Sequence, residues 1–129
     1  MLTKIKNYFK AEFGWKDAIS VGKIDNNKTK AICFYTSNTP PPAIHAFGGK
    51  ATQSYTLKRV TILLRGGKEK QAAEDTAQAV FDFFDESQFQ IDGRDAFALA
   101  GYGGPIDLGT DANGVYEYSI ELNFYLTKE

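Results

Sequence analysis

The chain has 129 residues, 43% of them hydrophobic, which is enough for one hydrophobic core and too little for two, so we expect one domain over residues 1–129. With a formal net charge of −1, the chain lacks the excess of positive charge that attracts nucleic acid, and we expect no specific nucleic-acid binding. The N-terminus has no apolar run like a signal peptide, and no segment approaches the ~20 apolar residues of a membrane span. We therefore expect synthesis in the cytoplasm and no membrane partner.

The first third of the chain predicts a helix followed by two strands. Apolar residues recur at helical spacing before Gly14, with lysines between them: Leu2, Ile5, Phe9 and Phe13. The β-prone runs 17–23 and 30–36 flank the turn-forming residues 25–27, a pattern that favours a hairpin. Cys33 lies in the second run, where a free thiol is expected to be a small buried apolar group.

Residues 37–54 are rich in Ser, Asn, Thr and Gly and predict a long loop. It contains a stiff run of three prolines, followed by apolar and aromatic side chains: Pro40, Pro41, Pro42, Ile44, His45 and Phe47. A long loop in a compact domain is often functional, so these six residues are our candidate contact with a partner or a second copy. The alternative is that their side chains pack on the domain's own core.

The rest of the chain predicts one long strand, a second helix and a β-meander. Residues 55–65 are rich in β-branched and aliphatic side chains and end at Gly66 and Gly67. Between residues 68 and 86 an apolar stripe recurs at helical spacing, led by Ala73, Ala77, Val80 and Phe84. Residues 89–94 predict a short strand and a turn that lead into residues 95–102, and residues 115–126 alternate apolar and polar side chains. The order predicts an α+β fold with a mainly antiparallel sheet and two helices on one face.

Residues suited to catalysis are few. His45 is the only histidine and Cys33 the only cysteine, so neither a His-based general base nor a zinc site has its usual ligands. The segment 65–68 is too short for a phosphate loop, and the glycines at 101–104 precede a proline instead of opening a helix, so both are expected to be turns. We predict no catalytic residue, no metal and no cofactor.

Two other classes of function stay open from the residues alone. Asp82, Asp85 and Glu86 gather near the end of the second predicted helix, where solvated surface is the simplest interpretation. A metal-dependent nuclease would instead use Asp82 and Glu86 with the acids at positions 107 and 111. A monomeric adaptor would bind its partner through the proline-rich loop.

Four segments resemble one family: residues 19–23, 31–36, 60–67 and, above all, 105–120 with the sequence PIDLGTDANGVYEYSI. They are similar to the minor capsid or tail terminator proteins of siphophages and prophages, especially those of Gram-positive hosts. The resemblance implies a non-enzymatic virion protein that assembles in the host cytoplasm. It would form a ring with itself, hexameric in such families, that ends the tail tube and meets the neck or head-completion proteins. A neighbouring neck protein of the same assembly is an open alternative.

Overall fold

The computed structural model describes residues 2–24, 27–36, 55–91, 93–101 and 103–127. These residues form two helices, α1 (Leu2–Phe13) and α2 (Lys70–Phe84). They also form seven strands: β1 (Ala18–Val21), β2 (Lys30–Thr36), β3 (Tyr55–Gly66), β4 (Ser87–Ile91), β5 (Arg94–Ala100), β6 (Ile106–Thr110) and β7 (Tyr116–Thr127). No helix in the described ranges is long and apolar enough to cross a membrane.

The seven strands form one curled sheet: six follow the order β1-β2-β3-β7-β5-β4, and the seventh, β6, pairs with β7. All pairs are antiparallel except β1 and β2. The predicted α+β fold with a mainly antiparallel sheet is confirmed. The predicted β-meander is wrong in one respect, because β6 does not lie between β5 and β7. Strand β7 is long enough to pair with β6 along residues 116–119 and with β5 along residues 122–126, on the same edge.

The core lies between the sheet and the two helices. Alternate side chains of β3 and β7 point into it, including Ile62 and its cross-strand partner Ile120, both fully buried. Three phenylalanines join the helices to the sheet, with ring centroids 5.5 Å apart for Phe9 and Phe84 and 5.6 Å apart for Phe9 and Phe34. Large apolar surfaces of this kind supply most of the free energy that favours folding.

Both predicted helices are present. Helix α1 ends before Gly14, whose φ of +80° suits the left-handed turn that closes a helix. Helix α2 buries the predicted stripe of Ala73, Ala77, Val80 and Phe84. It also buries Phe81, which periodicity alone did not single out.

The predicted hairpin between the first two strands is wrong, because β1 and β2 pair in parallel, with Ala18 opposite Ala31. Gly22 starts the reversal with a φ of +88°, and its N–H donates to the carbonyl of Phe34 at 3.0 Å. The chain must then return along the length of β1, which has 4 residues, before β2 begins at Lys30. At ~3.3 Å per residue the return needs only ~13 Å, so a connection of this length suffices.

Candidate assembly surfaces

The side of the sheet that carries no helix is polar along β3 and β7. The hydroxyl of Thr61 donates to the carboxylate of Glu121 at 2.9 Å, and Nε of Arg59 donates to Oδ1 of Asn123 at 3.1 Å. Both pairs join residues directly opposite each other in the register. Such cross-strand hydrogen bonds hold the side chains in place and leave a rigid polar surface.

Arg65 anchors the turn between β6 and β7. Its side chain is only 3% exposed, and it donates from Nη1 to Glu117 at 3.0 Å and from Nη2 to Asp111 at 2.9 Å. Its Nε donates to the carbonyl of Lys28 at 2.9 Å. A buried guanidinium needs such partners, because an unpaired buried charge is costly.

Asp111 organises the same turn from the other side. Its Oδ1 accepts hydrogen bonds from the backbone N–H groups of Asn113 at 2.8 Å and Val115 at 3.0 Å. The Val115 hydrogen bond, helped by Arg65 and Asn113, holds the pKa of the Asp111 carboxyl below its ordinary value of 3.8. Asp111 is therefore a structural carboxylate with its oxygens already engaged.

The three acids near the end of α2 have separate roles. Asp82 accepts from the side-chain amide of Gln78 at 2.9 Å, and Asp85 accepts from the backbone N–H of Ala100 at 3.0 Å. Glu86 lies at a turn with a φ of 60°. Within the described residues, no group of three or more His, Cys, Asp or Glu side chains could hold a metal ion.

At the junction between β3 and α2, a side chain of the protein itself occupies the hydrogen-bond donors of the helix N-terminus. Glu69 precedes α2, and its carboxylate accepts from the backbone N–H groups of Gln71 at 3.2 Å and Ala72 at 2.9 Å. These amides are the groups that a phosphate would use at a helix N-terminus. A Cβ on Gly66 would lie 2.6 Å from the Cβ of Ala73, so the glycine permits close packing of strand and helix.

Cys33 is buried, as predicted, with 1% of its surface exposed. The six candidate contact residues of the proline-rich loop lie outside the described residues: Pro40, Pro41, Pro42, Ile44, His45 and Phe47. Their role at an interface therefore stays a prediction.

A cleft of about 750 Å³ lies at the β4–β5 end of the sheet. Phe97 and Tyr125 form part of its wall, with ring centroids 6.5 Å apart, and Leu99 lies beside them. Gln88 and Gln90 contribute polar groups. The described residues of the cleft thus offer an apolar contact area with a few polar groups.

Exposed apolar side chains mark two other edges of the sheet. Among the described residues, the large hydrophobic side chains with the most exposure are Val21 at 36%, Ile106 at 37% and Leu108 at 51%. Val21 ends β1, and the other two lie on β6. Within the described ranges, each of these strands pairs on one side only, so its other edge presents backbone groups that no described strand pairs with.

A small cavity of about 240 Å³ separates α2 from β6, and Tyr118 of β7 lies against it. We call it the Tyr118 cavity; its other lining residues are Lys70, Glu74, Gln78, Pro105 and Asp107. The Tyr118 side chain is 4% exposed, and its hydroxyl has no hydrogen-bond partner in the described structure. Burial, followed by the charges of Asp107 and Glu74, raises the pKa of this hydroxyl.

The described residues thus form an α+β protein whose exposed apolar side chains lie at two edges of the sheet. The model of the bacteriophage tail terminator protein family matches residues 12–128, and the chain belongs to that family. The resemblance found in the sequence is thereby confirmed. The protein is a phage structural protein of the tail end, and it is part of the virion.

A solved structure shares the fold of this chain with a TM-score of 0.58. The aligned region covers 98% of this chain and 90% of the chain in that structure. The two sequences are 12% identical, so this likeness concerns the fold alone. None of the curated proteins compared with the chain matches it in sequence.

Proposed function

We propose that the chain assembles with itself into a ring, hexameric as the family resemblance implies, which ends the tail tube and presents its other side to the neck and head-completion proteins. The match to the tail terminator family over residues 12–128 carries this proposal. Assembly takes place in the host cytoplasm before the completed tail joins the head. The chain acts as one domain and by binding alone, without catalysis.

The arrangement of exposed apolar groups supports a ring. A closed ring needs two different surfaces on each subunit, one that meets the preceding copy and one that meets the next. The exposed Val21 of β1 and the exposed pair on β6, Ile106 and Leu108, lie on different edges of the sheet. Apolar side chains at two separate edges are what such head-to-tail contacts bury.

The internal cross-links of the sheet support a terminating role. The Arg65 hydrogen bonds and the Thr61–Glu121 pair hold β3, β7 and the β6–β7 turn in fixed positions. A rigid surface loses little conformational entropy on binding, so it suits a component that must fit both a tube end and a neck.

Inactivation of the gene in its phage tests the proposal. A tube without its terminating ring has nothing to stop the addition of further tube subunits, so we expect overlong tails and unjoined heads in electron micrographs. Supply of the unaltered chain from a plasmid should restore joined particles. Normal virions in the absence of the protein would overturn the proposal.

A further inference from the structure

The Tyr118 cavity contains a polar group without a hydrogen-bond partner in the described part of the chain. The Tyr118 hydroxyl is buried without a partner, and such a group costs ~1–3 kcal/mol if it is left without a hydrogen bond. The carboxylate of Asp107 accepts one hydrogen bond, from the N–H of Gly109 at 2.7 Å. Across the described residues, no ion pair within 4.0 Å engages Glu74 or Asp107. The lining thus holds one phenol oxygen, the carboxylates of Glu74 and Asp107 and one cation, Lys70. The acids outnumber the cation, so a further cationic hydrogen-bond donor would be attracted to this space.

Helix α1 carries two lysines on one flank, the half-buried Lys6 and the exposed Lys10, which we call its basic flank. Tyr8 lies on the other flank, with its ring 4.2 Å from that of Phe89 and 5.7 Å from that of Phe83. At 100° per residue, Lys6 and Lys10 lie roughly opposite Tyr8 on the helix. They are spaced i, i+4, where two like charges repel by a few tenths of a kcal/mol. An acidic partner would relieve this repulsion.

The basic flank of α1 and the Tyr118 cavity lie on opposite sides of α2. On one side, Phe13 of α1 contacts Phe83 of α2, with ring centroids 5.6 Å apart. On the other side, Glu74 and Gln78 of α2 face β6 across the cavity. Two complementary surfaces on opposite sides of one subunit cannot meet within that subunit, but they can meet between successive copies.

Exposed apolar residues accompany each of the two charged surfaces. Val21 lies on β1, which packs against α1, and Ile106 and Leu108 lie on β6, which borders the cavity. The α1–β1 side therefore combines the lysines of α1 with one exposed apolar side chain. The α2–β6 side combines two carboxylates with two exposed apolar side chains. This is the combination of an apolar contact and complementary charges that sets the register of an interface.

We propose that the Tyr118 cavity receives the ammonium group of Lys10 from a neighbouring copy, so that the α1–β1 side of one subunit packs against the α2–β6 side of the next. Lys6 of the same neighbouring copy lies beside Lys10 and contributes to the attraction. This inference rests on the proposed ring and names the surfaces through which its subunits meet.

Charge reversal tests the contact. The Glu74→Lys chain and the Lys10→Glu chain, each alone, place like charges at every interface, so we expect ring dissociation constants at least about tenfold higher than that of the unaltered chain. An equimolar mixture of the two should form rings again, because alternating copies place a lysine opposite a glutamate at every interface. Mass photometry of each sample and of the mixture gives the readout.

Two matched variants separate this contact from general effects. Asp95→Lys makes the same charge change at an exposed position of β5 that lines neither the cavity nor the pocket beside α1 and β1, and should leave ring formation unchanged. Tyr118→Phe removes the unpartnered hydroxyl, so it should leave the monomer at least as stable while it weakens the ring. Thermal melts of all variants exclude unfolding as the cause.

The outcomes distinguish the two proposals. If the unaltered chain forms no ring, the proposed function and this contact are both wrong. If it forms rings and the Glu74→Lys chain forms them equally well, the ring stands and the contact is wrong. If the single variants fail and their mixture also fails, Glu74 and Lys10 do not face each other, and the pairing is overturned.

Discussion

Arg65 and Asp111 are 46 positions apart in the sequence, yet the Nη2 atom of Arg65 lies 2.9 Å from Oδ2 of Asp111. This ion pair joins β3 to the β6–β7 turn, and the same guanidinium reaches Glu117 of β7. The turn belongs to segment 105–120, which carries the strongest sequence resemblance to tail terminators. The pair therefore fixes the position of β6, and β6 borders both an exposed apolar edge and the Tyr118 cavity.

The first prediction concerns acid stability. The pKa of Asp111 is lowered in the folded protein, so its carboxylate contributes stability that is present above its unfolded pKa and is lost as the pH falls through the lower folded value. Between about pH 5 and pH 2, the thermal midpoint of the unaltered chain should fall more steeply than that of Asp111→Asn. Equal slopes in circular dichroism melts would show that Asp111 has no such role.

The second prediction concerns the apolar face of α2. Val80 and Phe84 are fully buried, so Phe84→Ala should cost ~3–5 kcal/mol and Val80→Asp at least as much, against a typical total of ~5–15 kcal/mol. Ala79→Asp introduces the same charge one residue away at an exposed position and should remain folded. Melts of Phe84→Ala and Val80→Asp that match the parent would refute the assigned helix face.

The third prediction concerns the close approach of β3 to α2. A Cβ at position 66 would meet both Cβ and Cα of Ala73, at 2.6 and 2.8 Å, and the backbone of a helix cannot easily move away. Gly66→Ala should therefore cost ~1–3 kcal/mol in urea unfolding. Gly103→Ala, with nothing within 4 Å of the added Cβ, is the control and should have little effect.

Periodic patterns predicted the helices and the two faces of β7 because each reflects burial on one side of a single element. The parallel pairing of β1 with β2 was not predictable in this way, since it depends on how the chain returns after Gly22. The sequence also did not predict that Glu69 caps the N-terminus of α2, because glutamate is not among the preferred capping residues. Tyr118 belongs to the alternating pattern of β7, but its unpartnered hydroxyl arises only from where β6 and α2 lie.

The fourth prediction concerns the proline-rich loop, which we propose contacts a neighbouring subunit or a neck protein. Three prolines stiffen the segment, so its ordering against a partner costs less entropy. Ile44→Ser combined with Phe47→Ser should keep the thermal midpoint of the parent monomer but abolish rings or completed virions, because apolar anchors at an interface contribute ~2 kcal/mol or more each. A much lower midpoint would place the loop in the core, and normal assembly would place the interface elsewhere.

Negative-stain electron microscopy of the purified full chain tests the central claim most directly. We predict closed rings with a central hole, six copies in each, because a terminating ring must match the end of a tube. Particles of monomer size alone, across the whole range of accessible concentrations, would contradict the claim that this chain ends the tail tube as a self-assembled ring.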